Sequence, residues 1–238
     1  MEEIHSFPQT FLPDKPTLEA YPKVWTQKYG QRATVNSLII AVSTMIITTV
    51  LSTLAGYGFS RFRFRFDTWV FAAILGLRLL PPITMIIPVF KIFLSLRLLD
   101  TLIAIIFAHV YLTLPIMVWV SRNFFVNIPT ELDEAARIDG CTKFQALYTV
   151  ILPMAAPGIA TVAVLTFLFS WKEFLFAFVL STEKAITAPV AGQLMVGDVL
   201  VYWNELTAWG MIAAGPAILF VLLFQRYITS GLTQGAIK

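Results

Sequence analysis

The sequence predicts an all-α protein, a polytopic bundle of membrane-spanning helices. Of its 238 residues, 58% are apolar and only 13% are charged, which leaves too little polar surface to cover a water-soluble core. The apolar residues fall into five long blocks joined by short polar stretches. Blocks of about 20 residues match the roughly 30 Å hydrocarbon layer of a bilayer. A free-standing soluble enzyme is therefore excluded.

The first two blocks predict two different kinds of span. Residues 35–59 carry no charge and predict a continuous helix. Residues 69–90 contain one charge, Arg78, together with Pro81-Pro82 and Pro88. Because proline lacks the N–H donor of the helix ladder, the second span is expected to be broken or kinked.

The remaining three blocks predict the third, fourth and fifth spans. Residues 101–121 and 206–224 are uncharged, whereas residues 157–180 carry Lys172 and Glu173. The five blocks therefore predict five spans within one embedded domain.

Positive charge between the spans predicts their orientation. If the turn with Arg61, Arg63 and Arg65 is cytoplasmic, eight Lys and Arg lie inside, against three outside once the N-terminal segment is set aside. Residues 1–34 are then external, yet they contain no apolar stretch that could act as a signal peptide. An additional upstream helix, or a partner that assists insertion, is expected.

Composition also excludes several other functions. The single cysteine, Cys141, permits no intrachain disulfide, and the two histidines, His5 and His109, have no metal-ligand spacing around them. No metal site is expected. Lys and Arg are dispersed along the chain and mostly flank apolar blocks, so we expect a membrane-lipid environment and no nucleic-acid partner.

The connection between the third and fourth spans, residues 122–152, carries explicit helix signals. Thr130 is a candidate N-cap, and Glu131, Asp133 and Glu134 give the first turn the negative charge that complements a helix dipole. Gly140 is a natural stop. The whole stretch predicts two short helices around a glycine bend, the second capped by Thr142. A solvated structural hairpin explains these features as well as a docking element does.

The exact residues of this loop resemble the EAA loop of permease subunits from binding-protein-dependent ATP-binding cassette (ABC) importers. The motif is Glu134-Ala135-Ala136, then Gly140, then Val150-Ile151-Leu152-Pro153, with valine at the usual isoleucine position. The resemblance covers nearly the whole chain, and its further matches are of the carbohydrate-uptake, maltose-type second permease: Asn36-Ser37-Leu38, Ala55-Gly56-Tyr57 with Arg61, Trp171-Lys172-Glu173-Phe174 and Gly231-Leu232-Thr233-Gln234-Gly235-Ala236.

This resemblance implies the fold of a type I ABC importer transmembrane domain. Such permeases have six spans and a cytoplasmic N-terminus, so the first span is expected to be absent here. Residues 1–34 then correspond to the external segment, and residues 35–238 to the permease domain, with a cytoplasmic coupling loop at 122–152.

The resemblance also implies the function, a permease subunit that imports a sugar or polyol across a bacterial or archaeal cytoplasmic membrane. Expected partners are a second permease, two ATP-binding subunits and an extracytoplasmic solute-binding protein. The chain has no phosphate-binding loop motif, so it is expected to hold no cofactor and no catalytic residue, with ATP and Mg on the ATPase. The residues expected to couple to that ATPase are Glu131, Asp133, Glu134, Ala135, Ala136, Arg137, Asp139 and Gly140.

Ionisable residues within the spans are candidates for the translocation pathway. A charge there costs at least about 2.5–3.5 kcal/mol on insertion scales, so each needs a partner or water. We expect Arg78 and Glu173 to pair between helices, and Trp171, Lys172 and Phe174 to lie beside a sugar path. Structural roles explain these residues equally well, and a helix-packing hydrogen bond is expected for His109.

Two other classes of membrane protein are alternatives. A secondary transporter would need no ATPase, but the structured loop, the odd number of spans and the lack of a visible inverted repeat argue against it. A non-transporting scaffold that docks an ATPase is the second alternative.

Overall fold

A computed structural model describes residues 16–196 and 201–234 of the chain, with side chains described as far as Gln225. Within these residues the regular elements are helices, which confirms the predicted all-α class. The first half comprises α1 (Ala20–Thr26), α2 (Gly30–Arg61), α3 (Asp67–Gly76) with a 3₁₀ turn (Leu77–Leu79), α4 (Pro82–Ser95) and α5 (Leu102–Val126). The second half comprises α6 (Glu131–Ile138), α7 (Lys143–Ala146) with a π turn (Leu147–Ile151), α8 (Leu152–Trp171), α9 (Leu175–Leu180), α10 (Ala188–Leu194) and α11 (Trp203–Gln234).

Four stretches in the described part are long and apolar enough to cross a membrane, and a bent pair can supply a fifth span. The four are Gly30–Arg61, Leu102–Val126, Lys143–Trp171 and Trp203–Gln225. The bent pair is α3 and α4, which meet at 98°. The predicted break in the second span is thus confirmed. Pro82 begins α4, where a missing N–H costs nothing, and Pro88 lies inside α4 without ending it.

The fourth span ends earlier than the sequence predicted. Helix α8 ends at Trp171, and α9 begins at Leu175 after a short break, so residues 157–180 do not form one helix. The reason is the side chain of Glu173. Its carboxylate accepts the backbone N–H groups of Phe176 and Ala177, at 2.9 and 3.1 Å, and so caps a new helix instead of continuing the old one.

Helix α2 lies at the centre of the bundle and packs against α5 and α8. Its contact with α5 uses small and hydroxyl side chains. The hydroxyls of Thr48 and Thr113 lie 3.1 Å apart, and Ser121 donates to Ser52 at 3.4 Å. Small residues let two backbones approach closely, which is how helices associate inside a bilayer.

One end of the bundle, here called the α1 end, is closed by the loops that sequence analysis placed on the external side. Asp100 binds the loop before α10: its carboxylate accepts the backbone N–H groups of residues 182–185 at 2.9–3.1 Å. Asn36 donates to the carbonyls of Lys184 and Ile186. Helix α1 is joined to α11 because Lys23 and Gln27 both bind the carboxylate of Glu205. These loops therefore form one connected layer.

The opposite end, here called the α6 end, holds the two predicted short helices. Gly140 has φ +90° and ends α6 in a Schellman-type C-cap. Its N–H donates to the carbonyl of Arg137, and the N–H of Cys141 donates to the carbonyl of Ala136. Thr142 caps α7 in a reciprocal capping box with Gln145, as predicted. The Thr130 prediction was wrong: this residue has helical backbone angles and makes no side-chain cap, since a capping side chain needs an extended backbone.

Candidate functional site

Helix α6 presents most of the predicted coupling residues to solvent. Exposed positions are Glu131, Glu134, Ala135, Arg137, Asp139 and Gly140. Ala136 is buried, at 5% exposure. Ile138 is 86% exposed. The outward face of α6 therefore combines carboxylates, a small residue and one isolated apolar side chain, a surface suited to contact with another protein.

Asp133 differs from its neighbours because it faces the bundle. One oxygen accepts the phenol of Tyr57 at 2.9 Å, and the other accepts Nε of Arg61 at 2.8 Å. Arg61 also donates to the carbonyl of Ile128, at 2.8 Å. The Arg61 and Asp133 side chains are only 7% and 15% exposed. Asp133 thus anchors α6 to the last turn of α2, and it is not available at the outward face.

A cavity of about 320 Å³ lies between α6 and the end of α2. Glu134 and Arg137 line it from α6, and Tyr57, Arg61 and Lys143 line it from neighbouring elements. Both signs of charge therefore meet in a polar groove directly beside the exposed face of α6. A partner side chain entering this groove would find charged hydrogen-bonding groups.

A second cavity, of about 400 Å³, lies within the spanning helices. Its wall brings together four of the five predicted pathway residues, Arg78, Lys172, Glu173 and Phe174, with His109 and Ser170. Arg78 comes from the break between α3 and α4, and Lys172 to Phe174 form the break between α8 and α9. Two interrupted helices thus meet at one cavity, an arrangement typical of transport pathways.

Glu173 pairs with His109 and not with Arg78. Nε2 of His109 lies 3.0 Å from Glu173, and its Nδ1 lies 2.7 Å from the Ser170 hydroxyl. The expected Arg78–Glu173 pair is therefore wrong: Glu173 is already bound by His109 and by the first turn of α9. The guanidinium of Arg78 reaches only the carbonyl of Leu112, at 3.5 Å. The interhelical hydrogen bond expected of His109 is present.

Trp171 has a different place from the other four predicted pathway residues. Its side chain is 6% exposed, and the indole N–H donates to the carbonyl of Ala213 in α11 at 3.1 Å. Its ring stacks near Phe167, with centroids 5.8 Å apart. Trp171 therefore joins the fourth span to the fifth, and it does not appear among the side chains that line the 400 Å³ cavity.

Sequence reasoning missed several residues of both sites. Tyr57 and Arg61 were part of the family resemblance but had no assigned role, and Ser170 was not singled out. The available signal was their polarity at helix positions that otherwise carry apolar side chains. Tyr57 and Asp133 are 76 positions apart in sequence, and no local pattern could pair them.

A bundle of spanning helices with two short helices at one end and a cavity lined by ionisable side chains inside is typical of a membrane transport subunit. Comparison with known families agrees: residues 48–234 match the model of the binding-protein-dependent transport system inner membrane component. The chain belongs to this family. This membership confirms the expected class of non-enzymatic permease and its place in the inner membrane.

Individual relatives match over nearly the whole chain. The trehalose transport system permease protein SugB of Mycobacterium tuberculosis is 37% identical, over 95% of this chain and 84% of the relative. The trehalose/maltose permease protein MalG of Thermococcus litoralis is 36% identical, over 94% and 82%. The sulfoquinovosyl glycerol permease protein SmoH of Agrobacterium fabrum is 32% identical, over 97% and 81%.

A solved structure supports the fold. A chain of a bacterial ABC transporter that imports the acidic polysaccharide alginate superposes with a TM-score of 0.79 at 23% identity, over 91% of this chain and 81% of that one. At this identity the likeness concerns the fold alone. It confirms the predicted architecture of an ABC importer transmembrane domain.

Proposed function

We propose that this chain is the permease subunit of an ATP-driven importer of a sugar or polyol. It forms half of the translocation pathway with a second permease, and two ATP-binding subunits dock at the α6 end. An extracytoplasmic solute-binding protein delivers cargo at the α1 end. ATP and Mg belong to the ATP-binding subunits. The sugars in the names of the relatives, trehalose, maltose and sulfoquinovosyl glycerol, support the cargo class.

The observation that carries this proposal is that two neighbouring acids of α6 face different sides of the helix. Asp133 fixes the helix to α2 through Arg61 and Tyr57, while Glu134 remains exposed beside a charged groove. Helix α6 is bound to α2 on one face and exposed to solvent on the other. A partner that binds the exposed face and moves would therefore move α2 as well.

Transmission then proceeds by rigid-body motion. Because Asp133 is joined to the last turn of α2, displacement of α6 moves the central helix of the bundle directly. Helix α2 packs on α5 and α8, and the middle of α5 and the end of α8 line the 400 Å³ cavity. Movement of the ATPase dimer at the α6 end is thereby coupled to the shape of the cavity.

The 400 Å³ cavity is the proposed section of the pathway in this subunit. Its volume is typical of small-molecule sites, and Phe174 offers a partly exposed aromatic face on which a sugar ring can stack. Arg78, Lys172 and the Glu173–His109 pair supply polar groups. Trp171 does not line the cavity, but its hydrogen bond to the carbonyl of Ala213 fixes α11 against α8.

The proposal is tested by affinity purification of the chain from solubilised membranes. We expect a stoichiometric partner with a phosphate-binding loop, and its loss when Glu134 is changed to Ala. Glu19→Ala, an exposed acid at the α1 end, is the matched control and should retain the partner. Absence of any ATPase with the unaltered chain would contradict the proposal and favour a secondary transporter. An ATPase without a co-purifying second permease would favour a scaffold.

A further inference from the structure

We propose that the 400 Å³ cavity binds an anionic group on the transported sugar, a carboxylate, sulfonate or phosphate, through Arg78 and Lys172. This inference rests on the proposed import function and narrows its cargo class. It comes from the charge balance of the cavity wall, where two cations and one carboxylate meet. The carboxylate accepts three hydrogen bonds from His109, Phe176 and Ala177, whereas the two cations have almost no protein acceptor.

Glu173 is bound by three protein donors, and neither cation is among them. Its oxygens accept from Nε2 of His109 and from the backbone N–H groups of Phe176 and Ala177, at 2.9–3.1 Å. Nδ1 of His109 is hydrogen-bonded to the hydroxyl of Ser170, at 2.7 Å, and in the neutral imidazole donation from Nε2 leaves Nδ1 as the acceptor. Ser170, His109 and Glu173 are thus joined in a row by hydrogen bonds. Arg78 and Lys172 take no part in these bonds.

Neither cation has an ion-pair partner among the described residues. Arg78 makes one long hydrogen bond, of 3.5 Å, to the carbonyl of Leu112. Lys172 lies over the ring of Phe169, 4.8 Å from its centroid. Both side chains belong to exposed residues at breaks in their helices. They therefore offer seven or more N–H donors to the cavity with almost no protein acceptor.

The depth of Arg78 makes an unpaired charge expensive. It lies eleven positions after Asp67, the first residue of α3, or about 16 Å along the helix at 1.5 Å per residue. That is about half of the hydrocarbon layer. A cation at such a depth is expected to face a cavity and to find an anionic partner there. A transported anion supplies this partner and leaves with the cargo.

The test is saturation-transfer NMR on the assembled complex of permeases and ATPases in nanodiscs of phosphatidylcholine alone. The probes are two matched pairs, cellobiose with cellobiouronic acid and trehalose with trehalose 6-phosphate. We expect the anionic member of a pair to give at least about fivefold more signal, because each charge-assisted hydrogen bond is stronger than a neutral one. Equal signals from both members would overturn the proposal.

Variants localise the effect. Arg78→Gln and Lys172→Gln should each reduce binding of the anionic probe towards that of its neutral partner. Lys91→Gln, an exposed lysine on α4 away from the cavity, should leave it unchanged. Anion binding that survives both cavity variants overturns the assignment. Loss of the second permease from either variant also overturns it, since the cation would then pair with that subunit.

A further experiment distinguishes a transported anion from a lipid headgroup, because an anionic headgroup could bind the same two cations. Nanodiscs containing phosphatidylglycerol should not displace the sugar acids. Displacement would assign the two cations to lipid and overturn a cargo role. The proposed import function is judged separately, since retention of the ATPase at the α6 end does not depend on Arg78 or Lys172.

Discussion

The side chains of Arg61 and Asp133 form a 2.8 Å ion pair that is almost entirely withdrawn from solvent. They lie 72 residues apart in sequence and join the last turn of the central helix to the middle of α6. A buried pair of this kind resists separation, since removing one partner leaves the other charge uncompensated. Helix α6 and helix α2 are therefore expected to move as one body.

Asp133→Asn should weaken this connection while leaving the outward face of α6 intact. Asparagine retains one acceptor but loses the charge, and the uncompensated Arg61 costs up to about 3–5 kcal/mol. We expect the ATPase to remain bound and to hydrolyse ATP, but with at least about a threefold smaller response to the binding protein. The measurement is ATP hydrolysis by the reconstituted complex with and without that protein.

Asp67→Asn is the control for this experiment, because it makes the same change of charge at the start of α3, outside α6. It should behave as the unaltered chain. Exchange of the two charges, with Arg61→Asp and Asp133→Arg together, should restore part of the response. Unchanged coupling in Asp133→Asn would show that α6 transmits motion without this ion pair.

Gly56 and Gly58 provide a matched test of the α2–α5 contact. A Cβ at Gly56 would lie 2.6 Å from that of Ser121 and 2.7 Å from the backbone N of Arg122, whereas one at Gly58 meets nothing within 4 Å. Gly56→Ala should destabilise the bundle by about 1–3 kcal/mol through overpacking. Gly58→Ala should be neutral or stabilise it by up to about 1 kcal/mol.

Thermal unfolding of the two purified variants in the same detergent measures this difference. At about 2–4 °C per kcal/mol for a chain of this size, the midpoint of Gly56→Ala should fall below that of the unaltered chain. Gly58→Ala should match or exceed it. Equal midpoints would mean that α5 can move away from α2 at no cost.

Gly140→Ala isolates a purely conformational cost. No atom lies within 4 Å of the added Cβ, but φ is +90° at this position. An L-residue pays about 1–2 kcal/mol for a left-handed backbone. We expect faster amide exchange in the last turn of α6, measured by hydrogen–deuterium exchange. Gly76→Ala, also in open space but with a helical backbone, should show no such change.

Asp100→Asn should loosen the loop at the α1 end. Burial alone would raise the pKa of Asp100, but the four backbone N–H groups outweigh it and hold the pKa well below its usual range. The stabilisation is therefore complete above about pH 4, the unfolded pKa, and is lost only as pH falls towards the folded pKa. Protection of the 182–185 amides, corrected for intrinsic exchange, should be equal at pH 7 and pH 5.

Asp100→Asn should reduce this protection about tenfold at both pH values, because an amide oxygen binds backbone N–H groups less strongly than a carboxylate does. A loss of protection between pH 7 and pH 5 in the unaltered chain would contradict the assignment. Asp67→Asn, at the start of α3, is the control and should not affect the 182–185 amides.

The spans were predictable because burial in lipid demands long apolar runs, and residues 35–59 and 101–121 satisfy this locally. Gly140 and Thr142 were predictable for the same reason, since helix termini depend on adjacent residues. The break after Trp171 was not, because hydropathy does not register a carboxylate turned back onto its own chain. Nor was the inward orientation of Asp133, which depends on two side chains more than 70 residues away.

Cys141, the residue after Gly140, provides a natural labelling site next to α6. Cys141 is the only cysteine of the chain, and its partly exposed thiol is free. Its backbone N–H is fixed to Ala136 in the closing turn of α6. A single maleimide dye at this thiol would label one defined position just after α6. Fluorescence could then follow that helix during turnover in the native sequence, without an engineered attachment site.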